Sequence, residues 1–238
     1  MTTRLYWNDP YIKEFNAEIE NIAANTVVLD QTAFYPGGGG QPNDLGTIEI
    51  GGKKFMVIGM VSDKDSIVHN LDGTPEAKKG DAVKGIINWD RRYVCMKYHT
   101  TLHIIDAIAE KKYGIKPTGN QIYVDRARID FDMPEMDKKF AEKLTAEANE
   151  VIKRGYAVVA KDLPKAEALK IPDLVRTEPG RQLVSSMDHV RVIEIVGFDA
   201  QADGGTHVAN TSEIGAIALT KLENKGSHNK RLEITISQ

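Results

Sequence analysis

The stretch Tyr98-His99-Thr100-Thr101-Leu102-His103 sets two histidines four residues apart inside a segment whose pattern is that of one helix. An α-helix turns once every 3.6 residues, so side chains at i and i+4 stack on one face, one turn apart. Two imidazoles so placed can ligate one metal ion, and the remaining ligands must then come from elsewhere in the chain. The best donor is Asp203-Gly204-Gly205-Thr206-His207, a turn that can bring Asp203 and His207 to one side of a loop. Three histidines with one open position are a hydrolytic arrangement. Cys95 lies four residues before His99. It is read as packing, because about 12 Å of helix rise separates it from His103. The segment lacks the glutamate of His-Glu-x2-His, which excludes that protease mechanism. His69, His189 and His228 have no spaced partner and are expected to be structural or on the surface.

Working outward, the helix is expected to start near Trp89, with Asp90 as N-cap, and to stop at Gly114. Tyr93, Leu102, Ile105 and Ile108 should face a core, while His99, His103 and Asp106 share another stripe. Everything before the helix reads as β-rich. Strand-like runs lie at 15–22, 26–29, 55–61, 67–71 and 83–87, separated by turn clusters, the pattern of a small barrel. Among the turns, Phe34-Tyr35-Pro36-Gly37-Gly38-Gly39-Gly40-Gln41-Pro42 stands apart. Consecutive glycines serve where backbone turns sharply or approaches a ligand closely, and a hairpin tip is the plainer explanation.

Past Gly114 the pattern is mixed. Short strands are expected at 122–124 and 127–132, a helix at 136–154 ended by Gly155, and a strand at 157–160. A short helix and connection at 163–175 precede a strongly apolar strand at 190–196 and a glycine-bearing segment at 197–210. Strands at 214–222 and 232–236 close the chain. The fold class is therefore α+β, with a β-barrel domain over 1–88 and an α+β domain over 89–238.

Composition narrows the class. A hydrophobic content of 41% with 27% charged residues is that of a globular protein, and no apolar run approaches the ~20 residues of a membrane span. One cysteine excludes an internal disulfide and fits a reducing cytosol, so a cytoplasmic location with no membrane attachment is expected. The net charge of −3 does not suit a generic nucleic-acid binder but leaves room for a local basic patch. Lys221, Lys225, Lys230 and Arg231 form the densest such cluster, and Arg91 and Arg92 lie shortly before His99. Either group can contact phosphates or serve as a solvated charged face.

Several blocks together are specific. They are Phe34 to Pro42, Trp89-Asp90-Arg91-Arg92-Tyr93 leading into His99-Thr-Thr-Leu-His103, Gly204-Gly205-Thr206-His207-Val208, and Lys221 to Gly226. On these the chain resembles the AlaX family of free-standing alanyl-tRNA editing proteins, in its intermediate-length class, which is similar to the editing domain of alanyl-tRNA synthetase. The resemblance implies a barrel similar to a translation-factor domain joined to a zinc-bearing editing domain. It also implies hydrolysis of tRNA(Ala) whose acceptor end carries serine, or glycine. His99, His103 and His207 carry over as zinc ligands. The family's usual second motif is Cys-x3-His, and Asp203 stands in the cysteine's place, either as a fourth ligand or beside the ligands. Leu102 stands where the synthetase domain tends to have threonine.

The reaction would be attack of water on an aminoacyl ester, with zinc either lowering the pKa of water toward ~7 or orienting the substrate. Discrimination against alanine calls for a polar site that hydrogen-bonds the seryl hydroxyl. Thr32 ranks first for that contact because it precedes the glycine loop expected to roof the site, with Thr100 and Thr101 behind it. The catalytic group is thus expected to comprise Thr32, Gln41 and Asp203. Substrate contacts are expected from Gly38, Gly39, Gly40, Thr100, Arg92 and Lys225. Two rival readings use the same residues: a zinc hydrolase of a small amide or ester, and a zinc-containing tRNA-binding module without catalysis. The oligomeric state is not legible.

Overall fold

The computed structural model describes residues 1–63, 65–176 and 178–237, and the fold is a mixed α/β one with a closed six-stranded barrel. The chain divides into two compact units, Met1–Val94 and Cys95–Gln238.

The first unit begins with β1 (Thr3–Arg4) and α1 (Leu5–Asn8), followed by β2 (Glu14–Ala23), β3 (Thr26–Leu29) and β4 (Gln31–Thr32). After the glycine loop come β5 (Gly46–Ile50), β6 (Lys53–Asp63), β7 (Ser66–Leu71) and β8 (Ala82–Ile87). The barrel runs β2-β3-β7-β6-β5-β8 and closes β8 onto β2, with every ladder antiparallel. Period-two alternation fills it, because Phe15, Ala17 and Ile19 of β2 point inward with Ile48, Ile50, Val57, Leu71 and Val83. Gly85 interrupts β8 for a steric reason. It pairs with Phe15, and a β-carbon there would stand 2.2 Å from the Phe15 ring. The strand β5 is an addition to the sequence reading, and without it the ring does not close.

The second unit is built on α2 (Trp89–Tyr113), whose first turns are counted with the first unit. Residues 98–109 of α2 are all buried. It is followed by β9 (Lys116–Ile122), β10 (Ala127–Asp132), α3 (Lys138–Arg154), β11 (Val158–Pro164) and α4 (Lys165–Ala168). Then come α5 (Glu178–Ser185), β12 (His189–Ile195), β13 (Asp199–Ala202), β14 (Ala216–Asn224) and β15 (Asn229–Ser237). One antiparallel sheet runs β14-β15-β10-β9, and another runs β11-β12-β13. The helix α3 is capped by Asp137, which accepts from the Phe140 amide at 2.7 Å, and ends at the left-handed Gly155. Its Asn149 docks on β14 by exchanging two hydrogen bonds with Ile217. The Tyr98 hydroxyl of α2 accepts from the Ile236 amide on β15 at 3.2 Å. Residue 214, expected in a strand, belongs to a 3-10 turn over Thr211–Ile214.

Candidate metal centre

The helix that carries the two central histidines is capped by Asn88 rather than Asp90. Asn88 Oδ1 accepts from the Arg91 amide at 3.2 Å, two residues earlier than the sequence suggests. Gly114 ends it at φ +66°, with its amide on the Glu110 carbonyl at 2.9 Å. Along this rod His99 and His103 stack one turn apart, their ring centroids separated by 5.1 Å.

His207 reaches them from the segment that follows β13. Its ring lies 4.3 Å from that of His99 and 4.6 Å from that of His103, centroid to centroid. Asp203 points into the same space, with Oδ2 at 2.9 Å from His207 Nε2 and Oδ1 at 3.6 Å from His99 Nε2. One ligand atom from each of these four residues lies within 4.8 Å of the others. The turn is held by a bond within itself and by Arg191 of β12. The Gly205 amide donates to Asp203 Oδ2 at 2.6 Å, and Arg191 Nη1 donates to the carbonyls of Asp203 and Gly205 at 3.0 and 2.9 Å. Gly205 has to be glycine, since a β-carbon would enter the His99 ring.

Electrostatics suit a cation. Burial lowers the pKa of His99 to about 4, against the pull of Asp203, and the neighbouring His207 and Arg191 charges lower it further. Burial and the two other imidazoles hold His103 well below the ordinary histidine value, and burial lowers His207 despite Asp203. Burial works against the Asp203 charge, yet the facing imidazoles more than offset it and keep the carboxyl well below its usual range. Near neutral pH the site therefore offers three lone-pair nitrogens and one carboxylate, a donor set that fits a divalent transition metal.

A second layer backs the histidines, and the sequence reading passed over it. Gln201 Nε2 donates to the His103 carbonyl at 3.2 Å and to Asp199 Oδ2 at 2.8 Å. Asp199 in turn receives both terminal nitrogens of the buried Arg176, which also donates to Asp106 at 3.2 Å. Burial pushes Asp106 up to about 7 against the pull of Arg176, with Asp199 and Glu110 adding to the rise. The available signal was the alternation Asp199, Gln201, Asp203, polar side chains at period two leading into the turn.

The remaining expected site residues have other partners. Thr100 is buried and meets His207 Nδ1 at 3.2 Å, and Thr101 donates to the Lys97 carbonyl at 2.8 Å. Lys225 pairs with Glu223 at 3.0 Å, and so does Lys221 at 2.6 Å. Arg231 makes a bidentate pair with Asp130, and Lys230 Nζ donates to the Gly226 carbonyl. The basic cluster is thus interleaved with carboxylates.

In the first unit, Gly38 and Gln41 exchange backbone hydrogen bonds at 3.0 and 2.9 Å around Gly39 and Gly40. Those two central residues have φ +56° and +84°, the pattern of a type I′ turn. Arg92, expected to contact substrate, is fully buried. It donates to both carboxylate oxygens of Asp44 and to the Ala33 and Pro10 carbonyls. Asp44 accepts from the Tyr35 amide at 2.6 Å, so the pair anchors the glycine loop, and the full burial of Arg92 closes it to a phosphate. Thr32 is buried too. His69 Nδ1 lies 3.2 Å from the Val27 carbonyl and therefore carries the proton, leaving Nε2 to accept from the Thr32 hydroxyl at 2.9 Å. The Phe34 amide donates to the same hydroxyl at 3.2 Å. Its proton is spent at the base of the glycine loop.

Comparison with known proteins completes the picture. The family profile described as tRNA synthetases class II (A) matches residues 8–91, and that of the threonyl and alanyl tRNA synthetase second additional domain matches residues 190–233. The chain is 42% identical over 238 residues to the alanyl-tRNA editing protein AlaX-M of Saccharolobus solfataricus, covering 99% of each. It is 40% identical over 244 residues to the AlaX-M protein of Methanosarcina barkeri, again over 99% of each. A 36% identity over 228 residues relates 93% of the chain to 24% of the alanine–tRNA ligase of Thermococcus kodakarensis.

Proposed function

The chain belongs to the AlaX family of alanyl-tRNA editing proteins, and from that premise we propose that it hydrolyses the ester of tRNA(Ala) wrongly charged with serine, or with glycine. It is an aminoacyl-tRNA deacylase acting in trans, with tRNA as its macromolecular partner. The observation that carries the chemistry is the buried convergence of His99, His103, His207 and Asp203. A zinc ion held there by the three imidazoles and the Asp203 carboxylate would supply Lewis acidity toward the ester. Asp203 keeps a fixed negative charge beside that ion, and its bond from the Gly205 amide holds the carboxylate in place before substrate arrives.

Recognition of the amino acid falls to polar groups that alanine would leave unpaired. We assign contact with the amino-acid end of the substrate to Gly38, Gly39, Gly40 and Gln41, on residue chemistry. Thr32 acts through the loop that its bond to His69 secures. Lys225 serves phosphate binding by exchanging Glu223 for the tRNA backbone. The barrel (1–88) and the editing region (89–238) form the two domains of this reading, and a cytoplasmic location belongs to it. No helix among the described residues is long and apolar enough to cross a membrane.

The test is deacylation of Ser-, Gly- and Ala-tRNA(Ala) by the purified zinc-loaded protein. The serylated substrate should be cleared while the alanylated one survives. Comparable hydrolysis of a free serine ester would replace this reading with a small-ester hydrolase. Zinc retention without any deacylation would leave a binding module.

A further inference from the structure

Thr100 is buried on α2, one residue after His99, and its single hydroxyl meets two groups from the far end of the chain. Oγ1 lies 3.2 Å from His207 Nδ1 and accepts from the Val208 amide at 3.3 Å. The other nitrogen of His207, Nε2, faces Asp203 at 2.9 Å inside the donor cluster. A neutral imidazole carries one proton, so the two contacts are coupled. When Nε2–H donates to Asp203, Nδ1 is a bare lone pair and the hydroxyl must donate to it. When Nε2 is given over to a cation, Nδ1 carries the proton and the hydroxyl must accept. A hydroxyl does both from one atom by rotating, whereas an amide or a methyl cannot.

We infer that Thr100 is the positioning residue of His207, orienting its ring and following its tautomer as the cation site fills, and that it does not contact the substrate's hydroxyl. The inference rests on the cation-site reading above. The exchange balances: Nε2 releases one proton to water, Nδ1 takes one from water, and the imidazole stays neutral. In the filled state both lone pairs of Oγ1 are used, one by Val208 N–H and one by His207 Nδ1–H. Partners of this kind commonly govern metal affinity by 10–100-fold.

The experiment measures zinc affinity by competition with a chromophoric chelator in the full chain and in its Thr100→Val and Thr100→Ser variants. Long-range 15N–1H spectra of the histidine side chains are recorded in the wild type with and without zinc. Thr100→Val should bind zinc about 10–100-fold more weakly and Thr100→Ser within a few-fold of wild type. His207 of the wild type should change from the Nε2–H to the Nδ1–H form on loading. Equal affinities for wild type and Thr100→Val overturn the inference, as does a loss of the same size in Thr100→Ser, which would trace to the methyl group. An unchanged His207 tautomer overturns it as well, whether or not the variants fold. A wild type that binds no zinc defeats the cation-site reading itself.

Discussion

A β-carbon on Gly205 would stand 2.3 Å from Cε1 and 2.5 Å from Nδ1 of His99, whereas one on the adjacent Gly204 would meet nothing within 4 Å. The turn between Asp203 and His207 is therefore pressed against the helix at one glycine and open at the next.

That contrast makes a matched pair. Gly205→Ala should displace His99 and weaken zinc binding on the order of ten-fold or more, with deacylation falling alongside. Gly204→Ala should stay close to wild type. Titration with a zinc chelator measures both, and equal behaviour of the two variants would remove the close approach from the account.

The anchor of the glycine loop is a buried ion pair. Arg92→Met strands the Asp44 carboxylate, and a stranded buried charge costs about 3–5 kcal/mol. Urea denaturation should register that loss, and Asp44→Asn with Arg92→Met together should cost less than the two single changes added. Strict additivity would mean that the pair is not the anchor.

Gly39 sits at φ +56° between the two bonded arms of its turn. Asparagine tolerates that region and a β-branched residue does not. Gly39→Asn should be stable, while Gly39→Val should strain the turn by roughly 1–3 kcal/mol. If the loop takes part in substrate approach, Gly39→Val should lose far more deacylation than its melting curve explains. Unchanged activity in Gly39→Val returns the loop to a plain hairpin tip.

Acid should destabilise the barrel through His69, whose pKa burial lowers from 6.5 to about 4, against bonds from the backbone at Val27 and Ile67. Between those values the unfolded chain binds a proton that the folded chain refuses, so stability falls as pH drops from 6.5 toward 4. The full effect is roughly 3 kcal/mol at 1.36 kcal/mol per pKa unit. His69→Gln should flatten the stability curve in that window. The difference between the two curves isolates this residue from the other buried histidines, and parallel curves would contradict the assignment.

Periodicity carried much of the fold. Phe15, Ala17 and Ile19 announce β2 by alternation, and the i, i+4 histidines lie on the helix that the pattern from Trp89 to Gly114 describes. Local chemistry hid the rest. Pro117 and Gly119 disguise β9, whose edge position in the sheet lets a proline stand in a strand. Gly46 makes β5 look like loop, and Pro179-Gly180 conceals α5. Asp203 and His207 converge on the helix pair because a glycine turn puts them there, which the sequence allowed without requiring. Burial was the largest gap. Nothing in Trp-Asp-Arg-Arg-Tyr distinguishes a fully buried Arg92 from a phosphate contact, because the distinction lies in Asp44, 48 residues upstream.

The ring of ladders in the barrel draws on no residue past Ile87, and the pairing of β2 with β8 that shuts it joins residues near positions 14 and 86. A nascent chain thus exposes a curling row of unsatisfied amides for as long as β8 remains inside the ribosome. Release of that one strand removes both edges at once, before the first histidine of the cluster has followed. Pulse-labelled hydrogen exchange on ribosome-bound chains should show protection of β2 and β8 appearing together, and stepwise protection from β2 onward would contradict this order. The fidelity machinery would then be assembled on a chain whose N-terminal part has already ceased to be a template for strand-to-strand aggregation.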